Sequence, residues 1–239
     1  MQTNTLLHRF DHARFGKFQT TLLLLAGSCW AWAAYGVTIV GFMLPSLQEE
    51  WNVSSSEFGL LAGIGMLGML VGAVSGGILS DQFGRRRILT WVMLYLGAMF
   101  ILSSIAENYP VLLALRFLTG MGLGAILPTS GTLVAEFCPI KYRGTMMVLL
   151  NGFWGLGGTV AAIVGYYLVL HFGWRPAMLF GGLAIAASPL IHYFLPESLR
   201  FLLGKGRVEQ AQKEAARVPL ADSQTIPISV DISAGPSPR

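Results

Sequence analysis

Two sets of residues in this sequence could do chemistry. The first is a run of opposite charges, Asp81, Arg85, Arg86 and Arg87, interleaved with Gly77 and Gly84 and compressed into the gap between two long apolar stretches. Glu136 and Arg143 flank a second gap of this kind, and Glu197 and Arg200 follow the last apolar stretch. Carboxylates that end one helix and guanidiniums that begin the next can latch neighbouring ends when closed and release them when open. Charges that only fixed topology would not require the acids. The second set is one residue. Arg116 stands six residues inside an apolar stretch, about 9 Å below its boundary at 1.5 Å per residue. A buried guanidinium there costs at least about 2.5–3.5 kcal/mol and faces a cavity or a partner; snorkelling to the interface is the alternative. No Asp or Glu stands in the interior of any apolar stretch, which leaves Arg116 free to attract an anionic group.

The elements that must carry these residues are membrane helices. The chain is 54% hydrophobic and only 12% charged, with a mean hydropathy of +0.60, whereas a soluble domain carries about 25% charged residues. A membrane helix needs about 20 mostly apolar residues, and six stretches qualify: 20–44, 57–79, 88–106, 110–135, 145–169 and 176–195. They predict an all-α polytopic membrane protein with a short arm (1–19), a six-helix bundle (20–195) and a polar segment (196–239) that ends in a disordered Ser/Pro-rich tail. Within that segment, Val208, Ala211, Ala215 and Val218 share one face of a short amphipathic helix.

The net charge of +4 does not indicate nucleic-acid binding, because of where the charges sit. Fourteen of sixteen Lys/Arg fall in the arm, the second and fourth gaps and the tail, while the opposite side holds Arg175 among Glu49, Glu50, Glu57 and Glu107. Clustered Lys/Arg resist translocation, so both termini are expected in the cytoplasm and the chain in the inner (plasma) membrane. The first apolar stretch is too long for a cleaved leader and is read as a retained helix. Cys29 and Cys138 supply no disulfide or metal framework, and no cofactor or metal is implied. Gly63-x-Gly65-x-x-Gly68 spells a dinucleotide fingerprint but lies mid-span with no strand before it. Gly68, Gly72 and Gly76 read instead as a ridge for close helix packing, as do Gly120, Gly124 and the cluster Gly152, Gly155, Gly157, Gly158.

Four motifs resemble those of the major facilitator superfamily. The gap between the second and third spans matches its Gly-x-x-x-Asp-x-x-Gly-Arg-Arg/Lys pattern at Gly77, Asp81, Gly84, Arg85 and Arg86. Glu136-x-x-Pro139-x-x-x-Arg143-Gly144 and Arg116-Phe-Leu-Thr-Gly120-Met-Gly122 agree with it too. Pro196-Glu197-Ser198-Leu199-Arg200-Phe201-Leu202 departs only where Leu199 replaces a proline. The resemblance covers about residues 20–205 and is similar to the metabolite/proton symporter branch (aromatic-acid or nicotinate type) and to sugar porters.

The resemblance implies half of a twelve-helix transporter working by alternating access, with a small-molecule substrate bound between two halves. A second six-helix half, from another chain or a second copy, would then be needed. The first helix of each inverted triplet lines such a site, so Tyr35, Thr38, Arg116 and Thr119 are expected there, with Asn151 and Trp154 from the fifth span. Arg116 would clamp a carboxylate, the aromatics would stack on a ring and Asn151 would donate a hydrogen bond. Ala33 and Gly36 stand where such symporters carry acids in the first helix, and Asn151 stands where some relatives have a glutamate. An organic anion such as an aromatic carboxylate is the expected substrate. A sugar, and a truncated half inactive by itself, are the alternatives. Ser130-Gly131 and His192 also resemble the dyad of rhomboid-type intramembrane proteases, but Pro128 replaces that motif's glycine and the four transporter motifs would be left unexplained.

Overall fold

The computed structural model describes residues 16–217. Among these, six helices are long and apolar enough to cross a membrane: α1 (Lys17–Trp51), α2 (Ser55–Phe83), α3 (Arg85–Ser104), α4 (Tyr109–Phe137), α5 (Ile140–Phe172) and α6 (Trp174–Phe194). Two short helices follow, α7 (Leu199–Gly204) and α8 (Val208–Ala216), and the described residues contain no strand. Val218, the predicted tail disorder and most of the N-terminal arm lie outside the described residues.

Local chemistry explains the tight reversals between helices. Asn52 takes a left-handed conformation (φ 51°) at the end of α1, and its N–H donates to the Gln48 carbonyl at 3.1 Å. Two residues on, Ser54 and Glu57 form a reciprocal capping box that starts α2: Ser54 Oγ accepts from Glu57 N–H and Glu57 Oε2 accepts from Ser54 N–H. Asn108 Oδ1 accepts from Val111 N–H at 3.0 Å to start α4, and Pro110 in the first turn needs no intrahelical donor partner. Connections this short force antiparallel neighbours.

α1 is longer than its apolar stretch. It has 35 residues and continues through Pro45 to Trp51, about 52 Å at 1.5 Å per residue against a hydrocarbon core of about 30 Å. Hydropathy marks the part of a helix immersed in lipid; its hydrogen-bonded ends extend beyond.

Glycines set how the helices pack. Hydrophobic burial gives little drive between helices in lipid, so close backbone approach must supply dispersion contact instead. Gly68, Gly72 and Gly76 of α2 lie against the backbone of Phe117, Met121 and Ala125, and Gly120 and Gly124 of α4 lie against that of Gly65 and Met69. No Cβ would fit at these crossings. α1 and α5 close in the same way, where Gly157 meets the Ala31 backbone. Exchanging α1–α3 with α4–α6 maps the α1/α5 pair onto the α4/α2 pair, the relation expected of two inverted triplets. α3 and α6 pack on each other through Gly97 and Gly182, and Gly181 makes room for Phe100. α5 widens to a π-helical turn at Gly165–Val169, and α6 tightens to a 3-10 turn at Gly182–Ala186.

Candidate functional site

Arg116 lies where α1, α2 and α4 meet. It is 8% exposed, its side chain runs beside Gly65 of α2, and one guanidinium nitrogen donates to the Gly36 carbonyl of α1 at 2.7 Å. Nε has no hydrogen-bond partner among the described residues. Both glycines matter through what they lack. Gly65 leaves room for the arginine, and Gly36, which stands where an acid was expected, offers its backbone oxygen instead. A carbonyl neutralises no charge, so the buried cation has no counter-ion among the described residues.

The other expected cavity residues divide. Trp154 of α5 stands edge-on to Trp30 of α1 with ring centroids 6.4 Å apart, and Trp30 Nε1 donates to Ser130 Oγ of α4 at 2.9 Å. These half-buried rings link three helices. Thr38 is half-buried opposite Gly158 of α5. Thr119 is buried and donates to the Leu115 carbonyl one turn back, and Asn151 is exposed and donates likewise to Met147. The structure places Tyr35 elsewhere. It is 1% exposed in the seam of α1, α3 and α6, packed on Trp32, Phe100 and Phe180, with its hydroxyl donating to the Ala177 carbonyl at 2.5 Å.

At the arginine-rich end the charged motifs form one network. Arg85, from the start of α3, pairs with Glu136 at the end of α4 and reaches Asp81 at 3.5 Å. The second oxygen of Glu136 accepts from Ser198 Oγ at 2.7 Å, and Arg200 Nε stands 4.0 Å from the first. Ser198 Oγ also accepts from Phe201 N–H and so caps α7. Glu197 caps α3 from a distance in sequence: Oε1 accepts from Arg86 N–H at 3.1 Å and from Ser198 N–H at 3.0 Å. Negative charge at a helix N-terminus is favoured by the exposed N–H groups and the helix dipole. Gly84 makes this possible, because φ is +100° there and a Cβ would stand 2.7 Å from Glu197 Oε2.

Gly77 of the same motif is half-exposed, and a Cβ on it would meet nothing within 4 Å. Arg143 is exposed and makes no ion pair among the described residues. Cys138, between α4 and α5, is buried, and burial pushes its thiol up to about 11 against the partial opposition of Arg143.

Sequence reasoning missed several participants. Ser198 bridges two motifs, and its place just before Leu199-Arg200-Phe201 was a capping signal. Glu214 of α8 stands 3.7 Å from Arg86, a tie that no local pattern announces. Glu50 accepts from Trp174 Nε1 at 2.9 Å and from Arg175 at 2.5 Å, while Arg175 stacks over Trp174. Ser130 is fully buried, accepting from Trp30 and donating to the Ile126 carbonyl. His192 of α6 is exposed and makes no hydrogen bond with Ser130. A cavity of about 590 Å³ opens between α1 and the π-helical turn of α5, lined by Phe42, Glu49 and Tyr166 among others. It does not include Arg116.

Comparison with known proteins follows the same lines. The family model described as Major Facilitator Superfamily matches residues 6–228. A niacin transporter of Acinetobacter baylyi is 39% identical over 208 residues, which are 87% of this chain and 47% of that protein. A 4-hydroxybenzoate transporter of the same organism is 36% identical over 169 residues, covering 70% of this chain and 37% of its own length. The partially occluded, inward-open xylose transporter XylE of E. coli superposes with a TM-score of 0.74 at 20% identity, over 84% of this chain and 54% of that one. The chain thus spans less than half the length of these two curated relatives.

Proposed function

The chain belongs to the major facilitator superfamily, and on that premise we propose that it forms the N-terminal half of a secondary transporter for a small aromatic carboxylate. The observation that carries this reading is Arg116, a buried guanidinium that holds a backbone carbonyl and has no counter-ion among the described residues. A carboxylate arriving beside it would supply the missing charge. Charge-assisted hydrogen bonds to arginine are the strong ones, and Nε is a free donor. Trp30 and Trp154 supply aromatic surface on α1 and α5, and the relatives named for niacin and 4-hydroxybenzoate support the same substrate class.

Alternating access requires a partner for the bundle to rock against. α2 and α5 present apolar surface with glycine steps that touch nothing within the bundle, Gly59, Gly63 and Gly77 on α2 and Gly144, Gly152 and Gly155 on α5. A second six-helix half, on the same or another chain, fits those faces. The charged network at the arginine-rich end, centred on Arg85 and Glu136, would then be the latch that opens and closes the cytoplasmic side.

Uptake of labelled nicotinate, 4-hydroxybenzoate and glucose into cells making the chain tests the reading. Saturable uptake of a carboxylate is expected, reduced at least about ten-fold in Arg116→Gln, the loss of one charge-assisted contact. Equal uptake by the variant would overturn the role of Arg116. Glucose uptake without carboxylate uptake would make the protein a sugar porter. No uptake by membrane-inserted chain would refute transport by these 239 residues alone.

A further inference from the structure

A second cavity, of about 350 Å³, lies at the arginine-rich end, where the end of α2, the start of α3, the end of α6 and helices α7 and α8 converge. Five cationic side chains line it: Arg86, Arg87, Arg207, Lys213 and Arg217. The two carboxylates in its wall are already engaged. Glu197 caps α3, and Glu214 pairs with Arg86 at 3.7 Å and with Arg217 at 3.1 Å. Arg87, Arg207 and Lys213 are exposed, and their side chains make no hydrogen bond or ion pair among the described residues. His192 adds a further donor to the wall. Five cations against two anions leave the pocket at +3, concentrated in a concave site of the size that holds small polar ligands.

The surroundings indicate what neutralises it. Phe83, in the wall of the pocket, is 49% exposed; one turn above Arg87 on α3, Trp91 is 63% exposed. On α6, Leu190, Tyr193 and Phe194, beside His192, are exposed as well. The pocket thus sits where unpaired cations adjoin apolar side chains facing the bilayer. A ligand suited to both carries a phosphate at one end and acyl chains at the other.

We propose that this pocket binds the phosphate headgroup of an anionic phospholipid, with Arg87, Arg207 and Lys213 as the residues that recognise it and the acyl chains lying along the Trp91 face of α3. Basic pockets between membrane helices hold such headgroups by the sum of their Coulomb attractions. α7 and α8 supply part of the wall, so a bound lipid also cross-links this polar segment to α3 and α6.

The test uses the full chain purified in mild detergent. Trp91 is the exposed one of the six tryptophans, so phosphatidylglycerol with brominated acyl chains should quench it on binding. Half-maximal quenching is expected at a lipid fraction about ten-fold or more below that needed with brominated phosphatidylcholine. The preference should vanish in the triple variant Arg87→Gln, Arg207→Gln, Lys213→Gln and survive in Lys17→Gln, Lys141→Gln, Lys205→Gln, which removes the same charge elsewhere. Unfolding temperatures measured in detergent alone separate lost binding from lost folding, since the three pocket side chains have no hydrogen bond or ion pair among the described residues to lose and glutamine keeps the backbone bonds of Arg207. Retained preference in the pocket variant, or its loss in both variants, would overturn the proposal. Release of phosphatidylglycerol by millimolar inorganic phosphate would also overturn it, assigning the pocket to a soluble phosphate instead.

Discussion

Two glycines of one motif, seven residues apart, do opposite jobs. At Gly84 the backbone adopts φ +100°, which side-chain-bearing residues reach only at a cost of roughly 1–3 kcal/mol. A methyl group there would also press on the Glu197 carboxylate that caps α3. Both effects act together in Gly84→Ala, so a loss of about 2–4 kcal/mol is expected. It would be read as a clear drop in unfolding temperature in detergent. Gly77 has helical geometry and open space around its Cα. Gly77→Ala should therefore leave that temperature unchanged or raise it, by up to about 1 kcal/mol of helix propensity. If the two variants melt together, the capping role of Glu197 is wrong. The charged residues of this motif were legible in the sequence because acids and arginines at adjoining helix ends have few partners but each other. Their assignment to a particular oxygen was not, since Glu197 is 111 residues from the amide it caps.

Helices that are apolar on every side hide which face turns inward. The six spans could be read from hydropathy, but Tyr35 could not be placed, because neighbouring positions of α1 are apolar all round and no polar stripe fixes its rotation. Glycine patterns carried more information. Gly68, Gly72 and Gly76 were legible as a ridge, and the α2–α4 contact uses all three. The cluster at 152–158 was only partly legible: Gly157 closes on the Ala31 backbone, whereas Gly152 and Gly155 face open space. This contrast predicts element-scale behaviour. Gly72→Leu inserts a side chain where no Cβ fits, so α2 and α4 must separate along their length. Expression as folded, monodisperse protein should fall several-fold, as overpacking costs about 1–3 kcal/mol or more. Gly63→Ala on the open side of α2 should express and melt as the native chain does. Size-exclusion profiles of fluorescently tagged variants would decide it, and equal profiles would sink the packing account.

Orientation belongs to the whole molecule. Arg85, Arg86, Arg87, Lys141, Lys205, Arg207 and Lys213 lie at one end of the bundle, and Glu49, Glu50 and Glu57 at the other. The positive-inside bias therefore predicts that the first end faces the cytoplasm. Cysteine labelling can test this on an almost silent background. Both native thiols are buried, and with the Cys138 thiol pushed up to about 11, roughly 0.03% of it is thiolate at pH 7.5. Its reaction with maleimide should be slow and should quicken about ten-fold per pH unit below 11, because the thiolate is the nucleophile. A cysteine at exposed Ser55 should react with an impermeant maleimide in intact cells; one at exposed Lys205 should react only after permeabilisation. The reverse pattern would invert the molecule. It would also move the basic pocket to the leaflet poor in anionic lipid and overturn the proposal that the charged network is a cytoplasmic latch. With the expected pattern, Arg116 hangs about 9 Å below the outer boundary and the charged network proposed as a latch lies at the opposite end of the same helices. A carboxylate drawn to Arg116 from outside would then enter above a closed cytoplasmic side, the order of events that alternating access requires.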